Sequence, residues 1–166
     1  MNLTDARKLA EELMDKHIPR SDRFMWSFEY MDRTRGIGLC SFRASNRNTI
    51  SLNEDFTLLA PENEVKDVIL HEIAHVLAGR TRGHDRVWQL YCLQIGGNGQ
   101  RLHKSEATTQ MLDAKSKYVA ICPTCKENHY ASRLGSAMKN GYMHCRPCHQ
   151  RHGFSDANKL IYRINY

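Results

Sequence analysis

Residues 71 to 75 read His-Glu-Ile-Ala-His, and these residue types at this spacing can hold a metal ion and activate water. Residues four apart on an α-helix share one face, so His71 and His75 can both reach a single Zn²⁺ through their ring nitrogens. Glu72 can reach water at that metal rather than the metal itself, and a carboxylate there can act as a general base. The pattern predicts a catalytic zinc site that hydrolyses peptide bonds, with zinc-activated water as the nucleophile.

A catalytic zinc site needs a third protein ligand and an open position for water. His84 is the leading candidate, because it follows a glycine-containing turn that reverses the chain toward the first two ligands. Asp85 and His103 are the alternatives. The metzincin arrangement would place a histidine six residues after His75, but that position is Thr81, which argues against that class.

Two Cys-x-x-Cys pairs near the C-terminus form a second set of metal ligands, namely Cys122 with Cys125 and Cys145 with Cys148. Four thiolates complete a closed tetrahedral site with no position left for water, so this zinc should be structural. Because the surrounding residues are poor in apolar side chains, the metal should supply much of their folding free energy. We therefore predict a zinc ribbon here, and two Zn²⁺ per chain, one catalytic and one structural.

The positive charge of the chain is concentrated in its last third. The formal net charge is +6, and residues 114–166 hold nine Lys and Arg against two Asp and Glu. Basic groups interspersed with aromatic rings can hold phosphates and stack on unpaired bases, which favours single-stranded DNA as a ligand. The alternative is that the charge serves solubility and the tyrosines fill a small core. The candidate DNA contacts are Lys115, Lys117, Lys126, Arg133, Lys139, Arg146, Arg151, Tyr130 and Tyr142.

Hydrophobic periodicity predicts the helices that position these residues. A first helix should begin at an N-cap Thr4 and end before Pro19. The helix that carries the histidines should have Pro61 in its first turn and fray near Gly79. Its apolar stripe contains Glu72, and a charged side chain in that position needs a compensating partner. The other members of the stripe are Val65, Val68, Ile69, Ile73 and Val76.

The remaining elements are shorter. A third helix should carry residues 87–95 and end at Gly96. Residues 103–117 are polar and predict a linker or a surface helix. Alternating apolar residues predict a small antiparallel or mixed sheet before the histidine helix, with strands at 26–30, 37–39 and 50–52. Further short strands are predicted at 118–121, 142–144 and 160–164.

The segment from His71 to Trp88 closely resembles the SprT-like metalloprotease family, which includes the Spartan proteases. The family pattern of a His-Glu-x-x-His helix, a short loop, a Gly-His pair and a nearby Trp is met by Gly83, His84 and Trp88. Upstream, Arg35-Gly-Ile-Gly-Leu-Cys40 and Asn48-Thr-Ile-Ser-Leu52 are similar to the strands that precede the active-site helix in that family. The resemblance covers most of residues 5 to 166.

This resemblance implies a zincin-type α+β metalloprotease domain, with helices packed on a small sheet, followed by a C-terminal zinc ribbon. It implies His71, His75 and His84 as ligands of the catalytic zinc and Glu72 as the general base. It also implies a hydrolase, specifically a zinc metalloendopeptidase, that cleaves DNA-bound or DNA-crosslinked proteins in DNA repair.

We expect a metalloprotease domain at residues 1–110 and a Cys₄ zinc ribbon at residues 111–166. The predicted partners are protein substrates and single-stranded or damaged DNA. No apolar run approaches the roughly 18 residues needed to cross a bilayer, and the N-terminus lacks a basic region followed by an apolar stretch. We therefore expect no membrane association, and a monomer inside the cell with access to DNA, cytoplasmic if its origin is bacterial or viral.

Two other functions are compatible with the same residues. The first is a catalytically inactive, DNA-binding zinc-ribbon accessory protein in transcription or repair. The second is a peptidase that cleaves small peptides and does not respond to nucleic acid. Cleavage that is sensitive to a chelator would separate the enzymes from the accessory protein.

Overall fold

A computed structural model describes residues 1–32, 36–44, 47–102 and 104–165 of the chain. These residues form two compact units, Met1–Met111 and Leu112–Tyr166. The boundary falls inside a helix, Glu106–Lys115, in the region where the sequence predicts a linker or a surface helix. Two features of the sequence analysis, Arg35 and His103, lie outside the described residues.

The first unit combines helices with one small sheet. In chain order its elements are α1 (Leu3–His17), α2 (Arg20–Arg23), β1 (Trp26–Met31), β2 (Gly38–Ser41), β3 (Asn48–Asn53), α3 (Glu54–Leu59), α4 (Glu62–Ala78), α5 (Arg86–Gln94) and the first part of α6 (Glu106–Lys115).

The sheet of the first unit is mixed. The strand order is β1-β3-β2, with β1 parallel and β2 antiparallel to the central β3. All residues of β3 are buried, as expected for a strand covered on both faces. The edge strand β2 packs against α4, which brings the strand next to the histidine helix.

The core of this unit lies between the sheet, α1 and α4. Ala6, Ala10 and Met14 of α1 are buried, as are Ile50 and Leu52 of β3. The predicted stripe of α4 is buried at Val65, Val68, Ile69 and Ile73, whereas Val76 is only partly covered. The apolar period of α4 therefore predicts its packed face correctly up to the last turn.

Two predicted helix starts are wrong by one or two residues. The N-cap of α1 is Asn2 rather than Thr4, because the Asn2 side chain accepts a hydrogen bond from the Asp5 N–H at 2.8 Å. In α4, Pro61 occupies the N-cap position, just before the first turn. Glu62 follows it in the first turn, where its charge complements the helix dipole.

The second unit contains the rest of α6 and a small sheet with the order β5-β4-β6, in which both pairings are antiparallel. Its core contains Ala120, Leu160 and three of the four cysteines, Cys122, Cys145 and Cys148. The elements after α6 are β4 (Tyr118–Ile121), β5 (Asn128–Ala131), α7 (Ser136–Lys139), α8 (Arg146–His152), a 3₁₀ turn (Asp156–Asn158) and β6 (Arg163–Ile164).

Two strand predictions in this unit need correction. Residues 142–144 form no strand, only an isolated bridge between His144 and Lys159. The strand predicted at 160–164 shortens to β6. Apolar residues in such a small unit pack against the cysteine cluster as well as in the sheet. Their spacing along the sequence is therefore a weak guide to strands. The chain is nevertheless a mixed α+β protein with small sheets, as predicted.

Within the described ranges, no helix has both the length and the apolar character that a bilayer crossing requires.

Candidate metal centres

Three histidine side chains converge in the first unit. Nε2 of His84 lies 2.9 Å from Nε2 of His71 and 3.2 Å from Nε2 of His75. The three side chains form a group in which every potential ligand atom lies within 4.8 Å of the others. His71 and His75 come from adjacent turns of α4, and His84 comes from the loop before α5. The structure thus brings together the three residues that the sequence selects as zinc ligands.

The loop between α4 and α5 is shaped to return His84 to α4. Gly79 ends α4 with φ of 91°, a backbone conformation that favours glycine, and its N–H donates to the His75 carbonyl at 3.0 Å. At the other end, Asp85 caps α5 by accepting hydrogen bonds from the N–H groups of Val87 and Trp88, both at 3.0 Å. His84 is therefore held between a glycine turn and a capped helix.

Trp88 forms the floor beneath the three imidazoles. Its indole is almost fully buried, and its ring centroid lies 4.6, 5.4 and 4.7 Å from those of His71, His75 and His84. The indole N–H also donates to the His71 carbonyl at 3.4 Å. One side chain from α5 thus packs against all three candidate ligands, which explains the place of this Trp in the motif.

The three imidazoles fit a zinc ion better than they fit one another. The Nε2 atom of His84 carries at most one proton, so it cannot make a good hydrogen bond to both neighbours at once. Burial, followed by the nearby His84, lowers the pKa of His75 to about 4. Burial and then the charge of Arg101 lower the pKa of His84. Unprotonated nitrogens about 3.3 Å apart are what Zn²⁺ requires at its usual bond lengths.

Glu72 is buried beside this cluster, at 6% exposure, as its place in the apolar stripe predicts. Burial raises the pKa of Glu72 to about 8, while a hydrogen bond from the backbone N–H of Cys40 opposes that rise. A carboxyl group with a raised pKa can both take up and release a proton near neutral pH. The Cys40 side chain is itself largely buried, which raises the pKa of its thiol and keeps it protonated.

Gly38 of β2 leaves space for the Glu72 side chain, a role that the sequence patterns do not predict. A Cβ at position 38 would lie 2.5 Å from Oε1 of Glu72 and 2.8 Å from Cγ1 of Val68. A glycine inside a strand often marks the close approach of another group, and that was the available indication. Gly38 and the N–H of Cys40 together position the carboxylate from the strand side.

The four cysteines form a second cluster, in the second unit. The Sγ atoms of Cys122 and Cys148 are 3.9 Å apart, and those of Cys125 and Cys145 are 3.6 Å apart. These separations are too long for a disulfide. They are close to the about 3.8 Å between sulfurs that share one tetrahedral Zn²⁺. All four Sγ atoms lie within 4.8 Å of one another.

Local backbone structure holds the first cysteine pair in place. Lys126, directly after the first pair, has φ of 61°, and its N–H donates to the Cys122 carbonyl at 2.9 Å. Burial opposes ionisation of Cys122, but N–H groups of Cys125 and Thr124 outweigh it and lower the thiol pKa to about 7. Burial raises the pKa of Cys148 to about 12. A cation is therefore needed to hold Cys148 as a thiolate next to Cys122.

The alternative third ligand Asp85 does not belong to the histidine cluster. Its carboxylate caps α5 and makes an ion pair with Arg82 at 2.9 Å. His103, the other alternative, lies outside the described residues. The remaining cysteines, Cys40 and Cys92, belong to neither metal cluster.

The predicted DNA contacts are mostly at the surface of the second unit. Tyr142 is 73% exposed, whereas Tyr130 is half-buried and its hydroxyl accepts a hydrogen bond from Asn128 at 3.0 Å. Phe154, outside the predicted set, is 76% exposed and packs on His149 with ring centroids 3.9 Å apart. Lys115 is half-buried, and the exposed cations are Lys117, Lys126, Arg133, Lys139, Arg146 and Arg151.

Fold and sites define a mixed α+β protein with a three-histidine cluster and a four-cysteine cluster, both consistent with zinc. The chain belongs to the SprT-like family, whose model matches residues 6–110. This confirms the resemblance seen in the sequence, although the matched range contains the three histidines and Glu72 but not the four cysteines. The family is generally one of zinc metalloproteases. A comparison with curated proteins found no match.

Proposed function

We propose that this chain is a zinc-dependent endopeptidase of the zincin type that acts on DNA-bound or DNA-crosslinked proteins. The convergence of three ring nitrogens beside a buried glutamate carries the enzymatic part of the proposal. Family membership supports the same chemistry.

His71, His75 and His84 would hold the catalytic zinc as uncharged ligands. Zn²⁺ held this way supplies Lewis acidity, which lowers the pKa of a water molecule toward about 7. Glu72 then takes a proton from the attacking water and passes it to the nitrogen of the leaving amine. The N–H of Cys40 and the gap at Gly38 keep its carboxylate in place during both transfers.

The second unit supports the choice of substrate. Its excess of basic residues favours a polyanion, and the exposed rings of Tyr142 and Phe154 offer flat surfaces for unpaired bases. Arg146 and Arg151 lie on α8 and have no ion pair with another residue in the described ranges. A DNA-bound ribbon would concentrate the protease near proteins on the same DNA.

The enzymatic part is tested by Glu72→Gln in the zinc-loaded protein. The variant should keep two zinc ions per chain and lose cleavage of a denatured or DNA-bound protein by about a thousandfold or more. Glu62→Gln, the same change at an exposed position of α4, is the matched control and should cleave normally. Undiminished cleavage by Glu72→Gln would remove Glu72 from the mechanism.

The DNA part is tested separately, by fluorescence anisotropy with labelled single-stranded DNA. Affinity should fall steeply with salt, and Tyr142→Ala should weaken binding by about tenfold through loss of one stacked base. Leu58→Ala removes an exposed apolar side chain from the first unit and is the control. DNA binding without chelator-sensitive cleavage would instead favour an accessory protein, and cleavage indifferent to DNA would favour a general peptidase.

A further inference from the structure

A groove opens beside the histidine cluster, along α5. It has a volume of about 880 Å³, and its walls come from His84, the first half of α5 and the segment 99–102. Cavities of a few hundred to a thousand cubic ångströms are typical of ligand sites. We call it the α5 groove, and because His84 forms part of its wall, anything bound there lies next to the zinc site.

The far wall of the α5 groove is fixed by specific contacts. The Gln89 side chain donates to the Gly99 carbonyl at 3.3 Å, which ties the segment to α5. The N–H of Asn98 donates to Asp67 of α4 at 2.9 Å, and Asn98 accepts from the N–H of Gln100 at 2.7 Å. The groove is therefore formed before any ligand arrives, as a specificity site requires.

The charged side chains of the groove differ in whether another group of the protein already pairs with them. Asp85 is occupied by its hydrogen bonds to α5 and by its ion pair with Arg82. Arg86 and Arg101 are exposed and have no ion pair with any residue that the structure describes. Arg101 is near enough to His84 for its charge to act on that imidazole. The net field in the groove therefore favours an anion.

Apolar surface accompanies these two guanidinium groups. Leu90 of α5 and Leu102 both line the groove and are 58% and 66% exposed. A glutamate side chain has a methylene stem below its carboxylate, so it can place apolar atoms on the leucines and its charge on the arginines. A groove beside the candidate zinc site is also where a protease must hold its substrate, which favours an acidic residue of a polypeptide over a nucleic-acid strand.

We infer that the α5 groove receives the substrate polypeptide on one side of the scissile bond and selects an acidic side chain through Arg86 and Arg101. This inference rests on the proposed function, because it assigns a subsite to the same centre. It makes the enzyme prefer bonds that have Glu or Asp within a few residues.

Binding to a protein that cannot cleave tests the inference independently of catalysis. The zinc-loaded Glu72→Gln protein is titrated into fluorescent peptides that differ only by Glu or Gln at positions near the centre. The Glu peptide should bind about fivefold more tightly, as for a partly exposed ion pair. Arg86→Gln combined with Arg101→Gln should abolish that difference, whereas Arg20→Gln, which makes the same change outside the groove, should preserve it.

A charge reversal guards against misfolding and against direct binding of the peptide carboxylate to zinc. Arg86→Glu combined with Arg101→Glu should reverse the preference, so that a Lys peptide binds more tightly than the Glu peptide. Equal binding of Glu and Gln peptides to the unreversed protein would overturn the inference. So would a Glu preference that survives removal of both arginines, or a loss of DNA affinity in that double variant with no change in peptide preference.

The active enzyme separates this inference from the proposed function. Cleavage sites in a denatured protein, mapped by mass spectrometry, should be enriched in Glu and Asp at one position. Cleavage without that enrichment would refute the subsite and leave the protease intact. A Glu preference in binding, with no cleavage by the zinc-loaded protein that retains Glu72, would refute the protease and leave the groove as a site that binds acidic peptides.

Discussion

The histidine cluster and the cysteine cluster differ in the charge and in the burial of their ligands. The histidine cluster uses neutral side chains from α4 and the following loop, and His84 is exposed. The cysteine cluster uses side chains that carry charge when bound, and three of its four residues are fully buried. Three neutral ligands leave a zinc ion its full positive charge and an open position, whereas four thiolates outweigh that charge and leave no position open.

This difference indicates where each unit obtains its stability. The first unit has a core of helices and sheet that is independent of the histidines, with Ile50, Leu52 and Ile73 fully buried. In the second unit the cysteines are themselves the centre of the core, alongside Ala120 and Leu160. We therefore expect metal loss to unfold the second unit but only to inactivate the first.

The largest effect should come from Cys148→Ser. This change removes a buried ligand, and structural zinc contributes about 10–16 kcal/mol of apparent folding free energy in zinc-finger peptides. Residues 112–166 should lose protection from hydrogen exchange and become sensitive to protease, while the first unit keeps its zinc. Cys92→Ser, at a buried cysteine outside both clusters, should destabilise the protein modestly and keep two zinc ions. If the amides of residues 112–166 stay protected in Cys148→Ser, the second unit folds without its zinc.

His75→Ala is the corresponding change in the histidine cluster, which we call the open site because three protein ligands leave one position of a zinc ion free. Zinc content should fall from two ions to one, and cleavage should fall by about a thousandfold or more because the Lewis acid is lost. The thermal unfolding of the first unit should change little, since His75 lies at the edge of the core. His17→Ala, in the last turn of α1, is the matched control. Unfolding of the first unit without zinc would show that this site is structural too.

Sequence patterns predict the metal clusters well because ligand chemistry is local. Two histidines one helical turn apart, and two cysteines within a tight turn, are fixed in space by their own backbone. The position of His84 is harder to predict, because it depends on the turn at Gly79 and on the N-cap at Asp85. Both features are visible in the sequence, and the structure places the ring against the other two.

What surrounds the clusters was predicted less well, because it depends on contacts distant in sequence. The space that Gly38 leaves for Glu72 becomes visible only when β2 is packed on α4. The segment 142–144 is predicted as a short strand, yet it makes only one bridge, between His144 and Lys159. In a unit centred on four cysteines, apolar residues such as Met143 pack against the cysteine cluster rather than in a sheet.

Gly38→Ala should have an intermediate effect, and it tests whether the open site depends on the placement of its base. The new methyl group would meet the Glu72 carboxylate at 2.5 Å, so the side chain must shift. A displacement of about 1 Å in a catalytic group can cost a hundredfold in rate. We expect kcat to fall by about that factor, with zinc content and KM nearly unchanged. Gly135→Ala, where the added methyl meets nothing within 4 Å, should leave kcat unchanged. A large rise in KM with normal kcat would contradict a role in positioning Glu72.

Trp88→Phe should have the smallest effect and separates ligand positioning from simple packing. Phenylalanine keeps an aromatic ring under the imidazoles but loses the N–H that donates to the His71 carbonyl at 3.4 Å. Groups that orient metal ligands typically contribute 10- to 100-fold in affinity, and this long, backbone-directed contact should lie near the lower limit. Zinc affinity of the open site should therefore fall by about tenfold in competition with a chromophoric chelator. The cysteine site of the same molecule is an internal reference and should not change. If thermal stability falls while zinc affinity stays the same, Trp88 only fills the core, and the orientation of the three imidazoles is set by α4 and the Gly79 turn alone.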